Sequence, residues 1–103
     1  MYRRLGIHDQ VMPKSRRILS ERVGTVVARG DAEIGFQQVA ELLPVKGIEY
    51  VGPIPDAMQK VTTFSAGIPV ASKHKDAAKA LIAYLHSAEA RATLEKTGLD
   101  PIK

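Results

Sequence analysis

The chain has 103 residues, of which 45% are hydrophobic and 25% charged, and a net charge of +4. That is enough chain for one domain with a modest core. It contains no cysteine, which excludes a disulfide framework and a thiolate metal site. Its three histidines, His8, His74 and His86, include no i, i+4 pair of the kind that binds a metal from one helix face.

The positive charge is local. Residues 1–29 hold seven basic side chains (Arg3, Arg4, Lys14, Arg16, Arg17, Arg22 and Arg29) against Asp9 and Glu21, a surplus of +5, and the remaining residues sum to −1. Such a segment suits a small anion or nucleic acid, or is simply a solvated face. No stretch approaches the ~18 apolar residues of a membrane span. The opening residues Met1–Asp9 lack the apolar run of a signal peptide; if the natural chain starts here, it is expected to carry no signal peptide of its own and not to be exported by that route.

In chain order, residues 1–12 read as the tail of a helix and a turn. Gly6 ends the first run, Asp9 caps a short turn through Met12, and Pro13 stops it. Starting on a helix tail hints that something before residue 1 has been lost. Lys14–Leu19 reads as a basic segment with edge-strand character at Arg17, Ile18 and Leu19. Ser20 has the chemistry of an N-cap, with Glu21 in the first turn. Val23, Val26 and Val27 follow at helical spacing, and Gly30 is the left-handed stop. The narrow apolar stripe of that helix calls for a sheet to pack on.

Glu33–Phe36 is the first strand expected, interrupted by Gly35. Gln37 and Gln38 leave its end where α/β sheets put ligand contacts, or form an ordinary polar turn. Val39–Leu43 suits one helical turn before Pro44. Lys46-Gly47 is a turn, Ile48–Val51 a second strand, and Gly52–Asp56 a loop stiffened by Pro53 and Pro55. Asp56–Gln59 suits a turn. Val61–Val70 is the longest extended stretch, with Pro69 marking an edge or bulge. Two helices close the chain. Asp76–His86 has Ala78, Leu81, Ile82 and Leu85 on one face. The next is capped by Ser87, with Glu89 in its first turn, and stopped by Gly98, with Leu99 folding back over its end. No phosphate loop, zinc-binding helix or nucleophile elbow is present. Glu33 and Glu41 would make a carboxylate pair, but nothing in the sequence positions them.

The run from Val26 through Gly30-Asp31-Ala32-Glu33-Ile34-Gly35-Phe36-Gln37-Gln38 to Glu41-Leu42-Leu43-Pro44 resembles the C-terminal portion of bacterial extracellular solute-binding proteins of ABC importers, the molybdate-binding type. So do Gly47–Pro55, Phe64–Gly67 and the closing helix pair through Gly98-Leu99. The resemblance covers nearly the whole chain. It implies an α/β fold, the C-terminal part of a two-lobed type II periplasmic-binding-protein-like architecture with a mixed sheet and flanking helices. Residues 1–60 would be a remnant of the second lobe, 61–71 a crossover strand and 72–103 the C-terminal helices of the first. The family is normally at least about twice this long, so the chain looks like a fragment.

The resemblance also implies a periplasmic location, a permease partner and a small oxyanion ligand such as molybdate, with no cofactor, no metal and no catalysed reaction. A helix N-terminus suits an anion. The matching ligand-binding positions are Ser20, at a helix start, and Gln38, which stands where the family has a tyrosine hydroxyl. The alternative reading is a small basic nucleic-acid-binding module using Arg3, Arg4, Lys14, Arg16, Arg17 and Arg22, which lacks stacking aromatics and a recognised motif; no nucleic acid is expected. Too few strands and an apolar helix face lead to the expectation of a symmetric homodimer, swapped through Val61–Val70 and the helices after it.

Overall fold

A computed structural model describes residues 1–102. The order of elements is α1 (His8–Val11), a 3-10 turn (Met12–Lys14), α2 (Val23–Ala28), α3 (Val39–Leu42), α4 (Lys75–Leu85) and α5 (Ala88–Lys96). The chain divides into two compact units, Met1–Val61 and Thr62–Lys103.

Among the described residues there is no β-strand and no sheet, which corrects the α/β expectation. Glu33–Phe36, Ile48–Val51 and Val61–Val70, together with the edge segment at Arg17–Leu19, carry none of the backbone hydrogen bonds of a ladder. Strand propensity describes side chains that fit a pleated, half-covered surface; the strand itself exists only when a second backbone pairs with it. Here none does, and the residues that would face a sheet core stay in water: Val51, Val61 and Val70 are each at least 81% exposed.

In the first unit the short α1 starts at Ile7 with no side-chain cap, and Asp9 lies in its first turn instead of capping it. Pro13 does not stop the run. It sits in the opening of the 3-10 turn, where its fixed φ fits and its missing N–H is not needed. The Ser15 hydroxyl closes that segment by donating to the Val11 carbonyl at 2.9 Å. The Arg4 guanidinium donates to the Ala57 carbonyl at 3.0 Å, tying the N-terminal turn to the turn after Pro55.

The centre of this unit is α2, not a sheet face. Val26 on α2 is the one apolar side chain in the unit that is fully buried, at 2% exposure. A β-carbon at Gly24 would meet Ile48 Cδ1 at 3.0 Å and Val45 Cγ2 at 3.1 Å, so the turn through Val45–Ile48 packs directly on the helix backbone. Gly35 plays the same part on the other side. A β-carbon there would overlap Val23 Cγ1 and stand 3.1 Å from Val27 Cγ2. The segment expected to be a strand is instead a close-fitting cover over α2.

The stop of α2 follows the sequence expectation. Gly30 has φ +83°, its N–H donates to the Val27 carbonyl at 2.9 Å, and the Asp31 N–H reaches back to Val26 at 3.1 Å. This pair of bonds is the Schellman arrangement that satisfies the last carbonyls of a helix.

The second unit is a pair of helices joined through His86 and Ser87. α4 is rich in Ala, Leu and Lys, which favour helix, and Asp76 lies in its first turn. Ser87 Oγ accepts from the Ala90 N–H at 3.1 Å, an N-cap, and Glu89 follows in the first turn. At the far end Gly98, with φ +89°, donates to Glu95, and Leu99 reaches back to Leu94, both at 3.0 Å. Ala90 is the buried apolar residue of this unit. On the apolar face of α4, Ala78 and Ile82 are half-buried while Leu81 and Leu85 are exposed. Among the described residues no helix is long and apolar enough to cross a membrane.

Candidate functional site

The first unit carries an open groove of about 640 Å³ lined by Leu19, Ser20, Glu21, Arg22, Gln37, Gln38 and Glu41. Two short stretches make it: the residues leading into α2, and the entry and first turn of α3. Ser20 and Gln38, singled out in the sequence, both lie on its wall.

Ser20 does not have the local role expected of it: it does not cap α2. The helix starts three residues later, with Arg22 at the N-cap position and no cap from that residue's side chain. The first helical N–H, on Val23, donates instead to Gln37 Oε1 at 2.9 Å. A glutamine 14 positions along the chain thus takes the place of the serine, and one of the helix's free donors is spent on it. Gln38 occupies the N-cap position of α3 with extended backbone and makes no side-chain cap, which leaves its amide on the groove wall.

The charges of the groove are sorted into two pairs. Arg22 Nε donates to Glu41 Oε2 at 2.9 Å, with both side chains about half exposed. Glu21 lies outside the helix turn where its charge was expected. Its two oxygens accept from the guanidinium of Arg29 at 2.7 and 3.0 Å, and Asp31 holds the same guanidinium at 3.0 Å. The hydrogen bonds from Arg29 hold the Glu21 carboxyl below its ordinary value. Those from Glu21, then Asp31, push the Arg29 guanidinium above its own. Arg22 is thereby the cation of the groove wall, beside a carboxylate with one oxygen unused: among the described residues nothing donates to Glu41 Oε1 or accepts from the terminal nitrogens of Arg22.

Sequence reasoning missed three members of this site: Gln37 as a cap, Arg22 as the groove cation, and Glu41 as its partner. Arg22 was read only as part of a basic segment, and Glu41 only as one of an unpositioned pair with Glu33. No spacing rule links residue 22 to residue 41. Outside the groove, a smaller open concavity is lined by Arg3, Gly6, His8 and Asp9, with His8 Nδ1 3.0 Å from Asp9 Oδ1. Among the described residues no cluster of three or more His, Asp or Glu side chains is arranged to hold a metal.

Comparison with known proteins supplies what the groove alone does not. A relative from Pseudomonas sp., named aconitate isomerase, is 45% identical over 102 residues. The match takes in 99% of this chain but 39% of the relative's length. The relative's name mentions aconitate and not molybdate, so the comparison gives the expected molybdate ligand no support. The relative also carries the name of an enzyme, which conflicts with the expectation of no catalysed reaction and overturns it. No comparison supports the nucleic-acid alternative. No solved structure matches the chain significantly. The family model described as bacterial extracellular solute-binding protein matches residues 1–100, and the chain therefore belongs to the bacterial extracellular solute-binding proteins.

Proposed function

We propose that this chain is the ligand-holding part of an extracellular or periplasmic solute-binding protein for a small polycarboxylate of the aconitate type, and that it takes part in isomerising that ligand. The observation that carries this reading is the 45% identity to the aconitate isomerase over nearly the whole chain. The groove supports it chemically. Arg22 offers a planar fork of donors suited to a carboxylate, with Ser20, Gln38 and the edge of Gln37 beside it. In this reading the anion is held by one guanidinium and neutral hydroxyl and amide groups. At the helix end expected from the sequence to bind the anion, the Val23 N–H is already taken by Gln37, so the reading rests on the side chains of the groove wall. Residues 1–60 serve one lobe of the intact architecture and 72–103 the other, across 61–71.

Calorimetric titration with cis- and trans-aconitate tests the proposal, with molybdate as the competing anion. Saturable aconitate binding that disappears in Arg22→Ala is the expected result. Binding of molybdate with none of either aconitate would overturn it. The transporter partner and the homodimer belong to the same reading; light scattering at micromolar concentration should report twice the monomer mass.

A further inference from the structure

The groove holds two carboxylates, and their surroundings make them unequal. Both oxygens of Glu21 are engaged by Arg29 at 2.7 and 3.0 Å. A carboxylate with both oxygens hydrogen-bonded by one guanidinium is a weak base. Glu41 is held by a single bond, Arg22 Nε to Oε2 at 2.9 Å. That bond fixes the side chain and leaves Oε1 open to the groove. The same contact uses only Nε of Arg22, so its two terminal nitrogens remain to hold an anion. One residue thus positions a base while its other donors are set to bind a carboxylate next to it. No histidine, lysine or tyrosine lines the groove to compete for the role.

We infer that Glu41 is the catalytic base that carries the proton in the isomerisation, with Arg22 holding the substrate carboxylate beside it; this rests on the aconitate reading above. Interconversion of cis- and trans-aconitate needs no other reactant. Glu41 Oε1 removes a proton from the methylene carbon. The electron pair of that C–H bond becomes a new double bond to the central carbon. The original double bond opens towards its outer carbon, and this carbon takes a proton back from the Glu41 carboxylic acid. The double bond has moved one position, and the rotation about the former methylene single bond at the moment the proton leaves sets whether the new double bond is cis or trans. Arg22 stabilises the charge that develops on the adjoining carboxylate during the step.

The test follows the exchange of aconitate protons for deuterium in D2O by proton NMR, with binding measured in parallel from shifts of the Gln37 and Gln38 side-chain amides. Glu41 lies partly in solvent, so its proton exchanges with D2O before return and deuterium enters both carbons. Glu41→Gln keeps an oxygen that can accept from Arg22 but cannot take up a proton. It should bind aconitate as the unaltered chain does and lose at least about 100-fold in exchange, the usual scale for a positioned acid–base group. Glu33→Gln, a carboxylate outside the groove, should leave both readouts unchanged. Exchange that persists in Glu41→Gln, or aconitate bound by the unaltered chain without exchange, would overturn the role of Glu41 while leaving the ligand reading intact. Absence of any shift at Gln37 and Gln38 would overturn the ligand reading, and the role of Glu41 with it.

Discussion

The helices α2 and α5 are built by the same physics from different distances. α5 is local throughout. Its cap, Ser87, is three residues from the N–H it serves, and its stop, Gly98, lies two residues past its last helical position. α2 ends just as locally, at Gly30. Its start, however, is capped by Gln37 from beyond the helix, and its flank is covered by Gly35 from the same remote segment. The lesson is that a glycine stop and a hydroxyl cap act within one turn and can be read along the chain. A cap that arrives by chain reversal depends on where the rest of the unit packs. Ser20 had the right chemistry, but a better-placed acceptor reached the helix first.

The sharpest way to break this contrast is at Gly35. Gly35→Ala puts a β-carbon into Val23 and close to Val27, and overpacking of this kind costs about 1–3 kcal/mol. Amide hydrogen exchange should show α2 losing protection while α4 and α5 keep theirs. Equal protection in α2 before and after the change would mean that the Gly35 segment does not cover the helix.

The caps give a smaller and more pointed comparison. Ser87→Ala should cost about 1 kcal/mol, the usual value for a lost hydroxyl cap, and lower protection only at the start of α5. Gln37→Ala should cost α2 a similar amount, about 0.5–1.5 kcal/mol for one hydrogen bond. Ser20→Ala should leave α2 unchanged. The outcome that sinks this account is a Ser20→Ala chain with a frayed α2 and a Gln37→Ala chain without one.

The smallest effect expected is on acidification. The Glu21 carboxyl titrates below its ordinary value because of its hydrogen bonds to Arg29. A carboxyl depressed in the folded state adds stability above its unfolded pKa, and that contribution disappears as pH falls through the folded value. Stability of the first unit should therefore decline below the usual carboxylate range, with the loss at Glu21 small because the pair is exposed and screened by salt. Glu21→Gln should remove this part of the acid response. An unchanged pH profile in that variant would show that the Arg29 clamp does not contribute.

Two residues of the groove wall were legible in the sequence, although the cap role read for Ser20 falls to Gln37. Ser20 and Gln38 were reached from a resemblance to binding proteins and do share one groove. The residue that supplies its charge, Arg22, stood in the sequence as one cation among seven in the basic segment. Only the reversal of chain between α2 and α3 puts it against Glu41, and that contact joins positions 19 apart.

Local chemistry by itself determined the helices and their stops. The spacing of Val23, Val26 and Val27, the Ala- and Leu-rich run of α4, the Ser87 cap and the turns at Gly30 and Gly98 each act within a few bonds of the backbone they set. The family, too, was carried by the order of residues along the chain. Tertiary structure alone decided the strands and the groove. Glu33–Phe36, Ile48–Val51 and Val61–Val70 have the side chains of strands, yet a strand requires a partner backbone, and packing gave Gly35 a helix to cover instead. The same packing delivered Gln37 to Val23 and Glu41 to Arg22. Those contacts join residues far apart in sequence, and nothing in the sequence near either partner encodes the meeting.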